Sequence, residues 1–330
     1  MSEFHFARLT PELILDALES QGIRVDSGLL PLNSYENRVY QLMDEDRKRY
    51  VVKFYRPERW SDEAILEEHA FTQQLLDAEV PVVAPLSFDG QTLLHAEGYR
   101  LAVFPSVGGR HLEVDNLDQL EWVGRFVGRL HMVSRKQAFA HRPTLDLESF
   151  GVQSVAYLKQ AQMLPEGLSE PFFAVLDHLL AAVEQQWQSA AAPDLIRLHG
   201  DCHPGNILWR EGDGPQFVDL DDARTGPAVQ DLWMLLSGER SERIMQLELI
   251  LEGYEQFVTF DNKELALIEP LRALRQIHYM AWLARRWQDP AFPQAFPWFN
   301  SNKYWEGQIL ACKEQLASLQ EPPLSLQPWL

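Results

Sequence analysis

Cysteine is almost missing from this 330-residue chain, with Cys202 and Cys312 the only two. So few and so far apart, they exclude a disulfide framework and a clustered zinc site, and they suit a reducing compartment. No apolar run is long enough to cross a bilayer, and Met1 to Thr10 lacks the basic start and apolar stretch of a secretory signal. A cytoplasmic protein is therefore expected. Basic residues are scarce too, 29 Lys and Arg against 48 Asp and Glu, a formal net charge of −19. Nucleic-acid phosphate needs a basic face, so the balance argues against nucleic-acid binding and toward solubility or a cationic partner. Repeats and low-complexity tracts are lacking, and the length allows a sizeable core in two lobes.

What is present is concentrated in His199-Gly200-Asp201-Cys202-His203-Pro204-Gly205-Asn206-Ile207-Leu208, followed by Phe217-Val218-Asp219-Leu220-Asp221. An Asp, an Asn five residues on, and a second Asp closing an apolar strand form the set that kinase-type phosphoryl transfer requires. Asp201 can accept the proton of an attacking hydroxyl, while Asn206 and Asp219 can hold the magnesium that bridges nucleotide phosphates. Gly200 and Gly205 permit the turns of the loop. Ile207 to Trp209 and Phe217-Val218 read as a hairpin that presents Asp219 at its end. Each fragment alone would also suit a turn whose carboxylate caps backbone groups. Their order in one chain carries the catalytic reading.

Upstream, Thr10 can cap a helix that Pro11 opens, with Leu9 and Ile14 as its staple. Alternating stretches over 38–43 and 49–54, joined by Asp44-Glu45-Asp46, predict a hairpin. Lys53 falls on its second strand, where a lysine pairs with nucleotide phosphates and with a helix Glu. The helix is expected from Ser61 to Leu76. The segment before the hairpin, Leu32 to Arg38, contains no glycine, so backbone amides and the side chain of Asn33 or Ser34 must serve the phosphates; Ser34 is the expected contact. Gly98 to Pro105 reads as the last strand of a small lobe running into a hinge.

His-Gly-Asp-x-His-x-Gly-Asn-Ile-Leu with its downstream Asp resembles the aminoglycoside phosphotransferase and choline kinase-like superfamily. Val25-Asp26-Ser27-Gly28, Leu32 to Tyr40, Phe54 to Trp60, Phe104 to Arg110 and Asp289 to Pro293 are similar to the bacterial stress response kinase A family, and the likeness covers almost the whole chain. The fold expected is α+β, two-lobed and protein-kinase-like. A small β-rich, nucleotide-binding N-lobe would take residues 1–104, and a larger helical lobe with the catalytic and substrate groups 105–330. The resemblance implies an ATP- and Mg²⁺-dependent Ser/Thr protein kinase of a bacterial stress response, with autophosphorylation among its activities. Its partners would be ATP and a protein bearing a Ser/Thr acceptor, with neither nucleic acid nor membrane, and the default assembly is a monomer. It also implies Glu68 as the partner of Lys53, with Glu67 left open. Backbone groups around Phe104 to Val107 would bind adenine, and Asp221 would lie near a second metal or a cationic substrate.

Two other acceptors or roles stay open. Only eleven residues separate Asp219 from Asp231, too few for a phosphorylated activation segment, and that shortness together with the acidic charge suits a small cationic alcohol or aminoglycoside. A catalytically silent nucleotide-binding scaffold is the third reading. Elsewhere, Leu117 to His131 predicts a helix with Gly124 and Gly128 on one face for close contact. His131, His199 and His203 read as packing or bracing groups, Asp231 as a helix cap that also receives catalytic-loop amides, and Thr225 as a turn residue. The aromatic-rich final third reads mainly as core, with a helix through Leu271 and Trp282 ending near Asp289-Pro290.

Overall fold

The computed structural model describes residues 6–326, so the start of the segment read for a secretory signal and the last four residues lie outside the description. Thr10 accepts a hydrogen bond from the Leu13 amide and Pro11 occupies the first turn, which starts α1 (Pro11–Glu19) at the expected place. Strands β1 (Leu30–Pro31), β2 (Arg38–Met43), β3 (Arg49–Phe54), β4 (Leu94–Ala96) and β5 (Tyr99–Pro105) form one antiparallel sheet in the order β1-β2-β3-β5-β4. Side chains alternate across a strand, so Val52, Phe54, Leu101 and Val103 face the core shared with Ile14 and Leu18 of α1. Lys53 and its cross-strand neighbour Ala102 turn to the opposite face. There lies α2 (Asp62–Asp77), capped by Ser61, whose hydroxyl accepts from the Ala64 amide.

Beyond Pro105 the chain is mostly helical. Its elements are β6 (Arg110–His111), α3 (Leu117–Ser134), α4 (Gln153–Ala161), α5 (Ser169–Ser189), β7 (Leu195–Leu198), β8 (Ile207–Arg210), β9 (Gly214–Phe217), β10 (Arg224–Pro227), α6 (Gln230–Trp233), α7 (Arg240–Tyr254), α8 (Ile268–Arg286), α9 (Ala291–Ala295) and α10 (Asn302–Gln320). β7 pairs with β10, and β6, β8 and β9 form a three-stranded antiparallel sheet. The large core runs from Phe71 and Leu75 of α2 through Val127 of α3 to Leu198, Phe217 and Ile250. A second core gathers Phe172, Leu274, Phe292, Phe299 and Trp305. No helix among the described residues is long and apolar enough to cross a membrane.

Gly124 and Gly128 do mark a close crossing, since a Cβ on either would overlap the backbone of Ile250 or Tyr254 in α7. Several local expectations need correcting. Helix α3 continues past His131 to Ser134, because His131 is buried within it and finds partners in Tyr254 and Asp231. Thr225 is a strand residue opposite Arg197 rather than part of a turn. Helix α8 stops at Arg286, ahead of Pro290, and the buried Asp289 that follows accepts from both Arg38 and Arg56. Three separate segments singled out in the sequence, around Arg38, Arg56 and Asp289, thus meet in one ion-pair network.

Candidate active site

The loop after β7 is anchored from below. The Asp231 carboxylate, fully buried, accepts from the amides of His199 (2.8 Å) and Gly200 (2.9 Å) and shares a third hydrogen bond with His131 Nε2 (3.0 Å). Asp231 lies inside the short helix α6 rather than at its cap, which corrects the capping part of the expectation. Gly200 has φ +86°, and a side chain there would collide with the Asp222 carbonyl, so the turn tolerates only glycine. His199 braces the other side, its Nε2 lying 3.0 Å from the Val218 carbonyl while Nδ1 accepts from the Asp201 amide at 3.3 Å.

This anchoring sets the Asp201 carboxylate among three donors. Asn206 Nδ2 donates to its backbone carbonyl (3.0 Å) and to Oδ2 (3.2 Å), His203 Nε2 lies 3.4 Å from Oδ2, and Arg275 Nη1 donates to Oδ1 at 2.8 Å. Burial acts to raise the Asp201 pKa, but the His203 hydrogen bond and the Arg275 guanidinium outweigh it and hold the carboxyl well below the usual range. Arg275, on α8, escaped the sequence reading because nothing in a helix residue 74 positions downstream of Asp201 signals which loop it will face.

Asp219 closes the hairpin of β8 and β9 in a left-handed conformation, φ +60°, which turns its carboxylate toward the lysine of β3. That conformation costs on the order of 1 kcal/mol for a residue other than glycine. Lys53 Nζ donates to Asp219 Oδ1 at 2.9 Å. Burial works to lower the Lys53 pKa, yet Asp219, Asp221 and Glu68 together hold it above its ordinary value. Glu68 is buried in the same cleft as Lys53, where its ion pair is with Arg142 Nη1 at 3.7 Å and none is formed with the lysine; burial pushes its carboxyl up to about 7 against the opposing pull of Lys53. Glu67 points away and receives the amides of His141 (2.8 Å) and Arg142 (3.0 Å), so of the two candidates only Glu68 shares the cleft of the lysine.

Ser34, Lys53, Glu68, Phe104, Val107, Asn206 and Asp219 all line one cleft of about 330 Å³ between the five-stranded sheet and the β8–β9 hairpin. Val39, Val51 and Leu208 give it apolar walls. Asp201 opens instead onto an adjoining cavity of about 210 Å³, walled by Arg59, Asp222, Arg224, Arg275 and the aromatic rings of Tyr279 and Trp282. The hydrogen bond from Asn206 to Asp201 joins the two spaces. Asp221 lines neither; its buried Oδ2 accepts hydrogen bonds from Asn37 (3.0 Å) and Arg59, while its Oδ1 has no hydrogen-bond partner.

The donors fit a hard divalent cation. With Nδ2 of Asn206 engaged by Asp201, its Oδ1 is left as the acceptor, and the Asp219 side chain keeps half of its surface open. Two oxygen donors beside a phosphate-sized space suit Mg²⁺, which favours carboxylate, carbonyl, water and phosphate oxygens.

The fold and this pair of cavities define a kinase-type phosphotransferase. The sequence profile of the phosphotransferase enzyme family matches residues 28–268. Over 327 residues the chain is 58% identical to stress response kinase A of Escherichia coli (strain K12), spanning 99% of this chain and 98% of that one. It is 57% identical over 325 residues, 98% of each chain, to "Serine/threonine protein kinase RdoA" of Salmonella typhimurium. Among solved structures, amicoumacin kinase hAmiN in complex with AMP-PNP, Ca²⁺ and Ami has a TM-score of 0.74 at 19% identity over 98% of both chains. A microcompartment-associated aminopropanol kinase has 0.68 at 19% identity, over 96% of this chain and 100% of that one. At such identities these two speak for the fold alone. The chain belongs to the phosphotransferase enzyme family and, within it, to the stress response kinase A family.

Proposed function

We propose that this protein is a cytoplasmic, ATP- and Mg²⁺-dependent Ser/Thr protein kinase of a bacterial stress response, monomeric and able to phosphorylate itself. The observation that carries the reading is full-length identity of 57% to a protein named as a serine/threonine protein kinase. Residues 1–104 would bind the nucleotide and residues 105–330 would supply the catalytic and acceptor groups. Adenine would lie between Val51 and Leu208, bonded to backbone groups from Phe104 to Val107, with Ser34 at the phosphates. Lys53, held by Asp219 with the Glu68 carboxyl in the same cleft, would fix the α- and β-phosphates. Asn206 and Asp219 would hold Mg²⁺, which when bound neutralises charge on the phosphates. Asp201 would orient the acceptor hydroxyl in line with the γ-phosphorus and take its proton as the bond to the leaving oxygen breaks.

A small-molecule acceptor is the second reading, favoured by the short Asp219–Asp231 connection, which leaves no long segment for docking a peptide. The two are separated by incubating the protein with Mg²⁺ and γ-labelled ATP, alone, with Ser/Thr peptides of varied charge, and with aminoglycosides and amino alcohols, beside Asp201→Ala and Asp219→Ala. Label on Ser or Thr that both substitutions abolish supports the protein kinase. Label on small molecules alone overturns it, and tight Mg-ATP binding without transfer would leave a scaffold.

A further inference from the structure

The proposed base is partly occupied. Asp201 uses Oδ2 toward Asn206 and His203, and Oδ1, the oxygen on the side of the second cavity, is held by Arg275 at 2.8 Å. Oδ1 keeps one acceptor site open, so an acceptor hydroxyl that approaches this carboxylate does so beside the guanidinium. Arg275 is able to move, since 43% of its side-chain surface is exposed. A guanidinium drawn away from its carboxylate loses a charge-assisted hydrogen bond unless another anion takes it.

The cavity itself offers none. Asp222, the other carboxylate on its wall, is bound by Arg59 at 2.9 Å and by Arg224, so it is already matched by arginines. A cationic acceptor would find no spare carboxylate there and would have to compete with Arg275 for Asp201. An acceptor that carries its own carboxylate would instead pair with Arg275 as its hydroxyl approaches Asp201. Tyr279, exposed and stacked on Trp282 with ring centroids 5.6 Å apart, supplies a flat apolar rim for the rest of the segment.

Resting on the protein-kinase reading, we propose that Arg275 is the specificity residue of the acceptor site. It selects a Ser or Thr beside an acidic side chain, the acidic group pairing with the Arg275 guanidinium while the hydroxyl takes the open side of Asp201 Oδ1. The competing assignment, a contact with the γ-phosphoryl, is disfavoured by position, because Arg275 lines the second cavity and not the nucleotide cleft.

The test uses peptides identical except for Glu, Gln or Lys beside one Ser, with kcat and KM measured on the native protein and on Arg275→Gln, Arg275→Glu and Arg275→Lys. Ratios between peptides within one variant cancel any general loss of folded enzyme. The native protein should prefer the Glu peptide over the Gln peptide by about tenfold in kcat/KM, mainly through KM, as one charge-assisted contact provides. Arg275→Gln should bring that ratio close to one, Arg275→Glu should reverse it toward the Lys peptide, and Arg275→Lys should restore part of it. Peptide labelling with no charge preference would overturn the Arg275 assignment and leave the protein-kinase reading standing. So would an unchanged preference in Arg275→Gln accompanied by slower ATP hydrolysis without acceptor, which would place the guanidinium on the phosphoryl group. Labelling of amino alcohols and of no peptide would overturn both.

Discussion

Replacing Asp231 tests whether the catalytic loop is held from beneath. In Asp231→Asn one carboxylate oxygen becomes an amide nitrogen. If that nitrogen takes the Oδ1 place, the Gly200 amide loses its acceptor; if it takes the Oδ2 place, the His199 amide does. Either way a fully buried backbone N–H is left facing another donor, at a cost of about 1–3 kcal/mol, and the remaining bond loses its charge assistance. The total should be roughly 3 kcal/mol, and somewhat more for Asp231→Ala, which removes all three partners. Urea unfolding followed by circular dichroism measures that loss through the midpoint. Because His199 and Gly200 lead directly into Asp201, the Asn variant that remains folded should also lose turnover about tenfold or more while its KM for ATP changes little. A midpoint within experimental error of the native protein, or a normal kcat, would refute the argument that Asp231 positions the loop.

Other consequences can be checked independently. Lys53→Met removes the donor to Asp219 and the phosphates and should lower kcat/KM for ATP by about 100-fold or more, read by labelled-ATP turnover; a change under fivefold would detach Lys53 from the site. Gly124→Ala would gain about 1 kcal/mol of helix propensity but force α3 off the Ile250 backbone, a net loss of roughly 1–3 kcal/mol in urea unfolding, whereas stabilisation would mean that the crossing is loose. Burial pushes Glu264 up to about 7 from an ordinary 4.5, so its proton stabilises the fold fully below pH 4.5 and that contribution fades as pH rises through 7. Glu264→Gln should remove this dependence, narrowing the fall in stability between pH 4.5 and 8 by at most roughly 3 kcal/mol; parallel pH profiles of native and variant would refute it.

Local signals were the most legible. The Thr10 and Ser61 caps, the hairpin at 38–43 and 49–54, and the Asp201-Asn206-Asp219 set rest on contacts within a few residues, or on a period of two or 3.6, and such patterns survive in a linear sequence. Where the reading missed, distant contacts decided. Helix α3 ran past His131 because Tyr254 and Asp231 satisfy the imidazole in the interior, and Asp221 was drawn into a buried knot by Asn37 and Arg59 from the other lobe.

The amino-acid sequence alone determines that a candidate phosphoryl-transfer set is present and in what order, since loop turns, strand ends and the hairpin that carries Asp219 are local chemistry. Only the tertiary structure decides that Asp201 and Asp219 open onto different cavities, that Glu68 rather than Glu67 shares the cleft of Lys53, and that Arg275 sits on Asp201. Those facts depend on how α2 and α8 pack against the loop. Packing is set by the summed burial of many apolar side chains, a quantity that no single motif encodes.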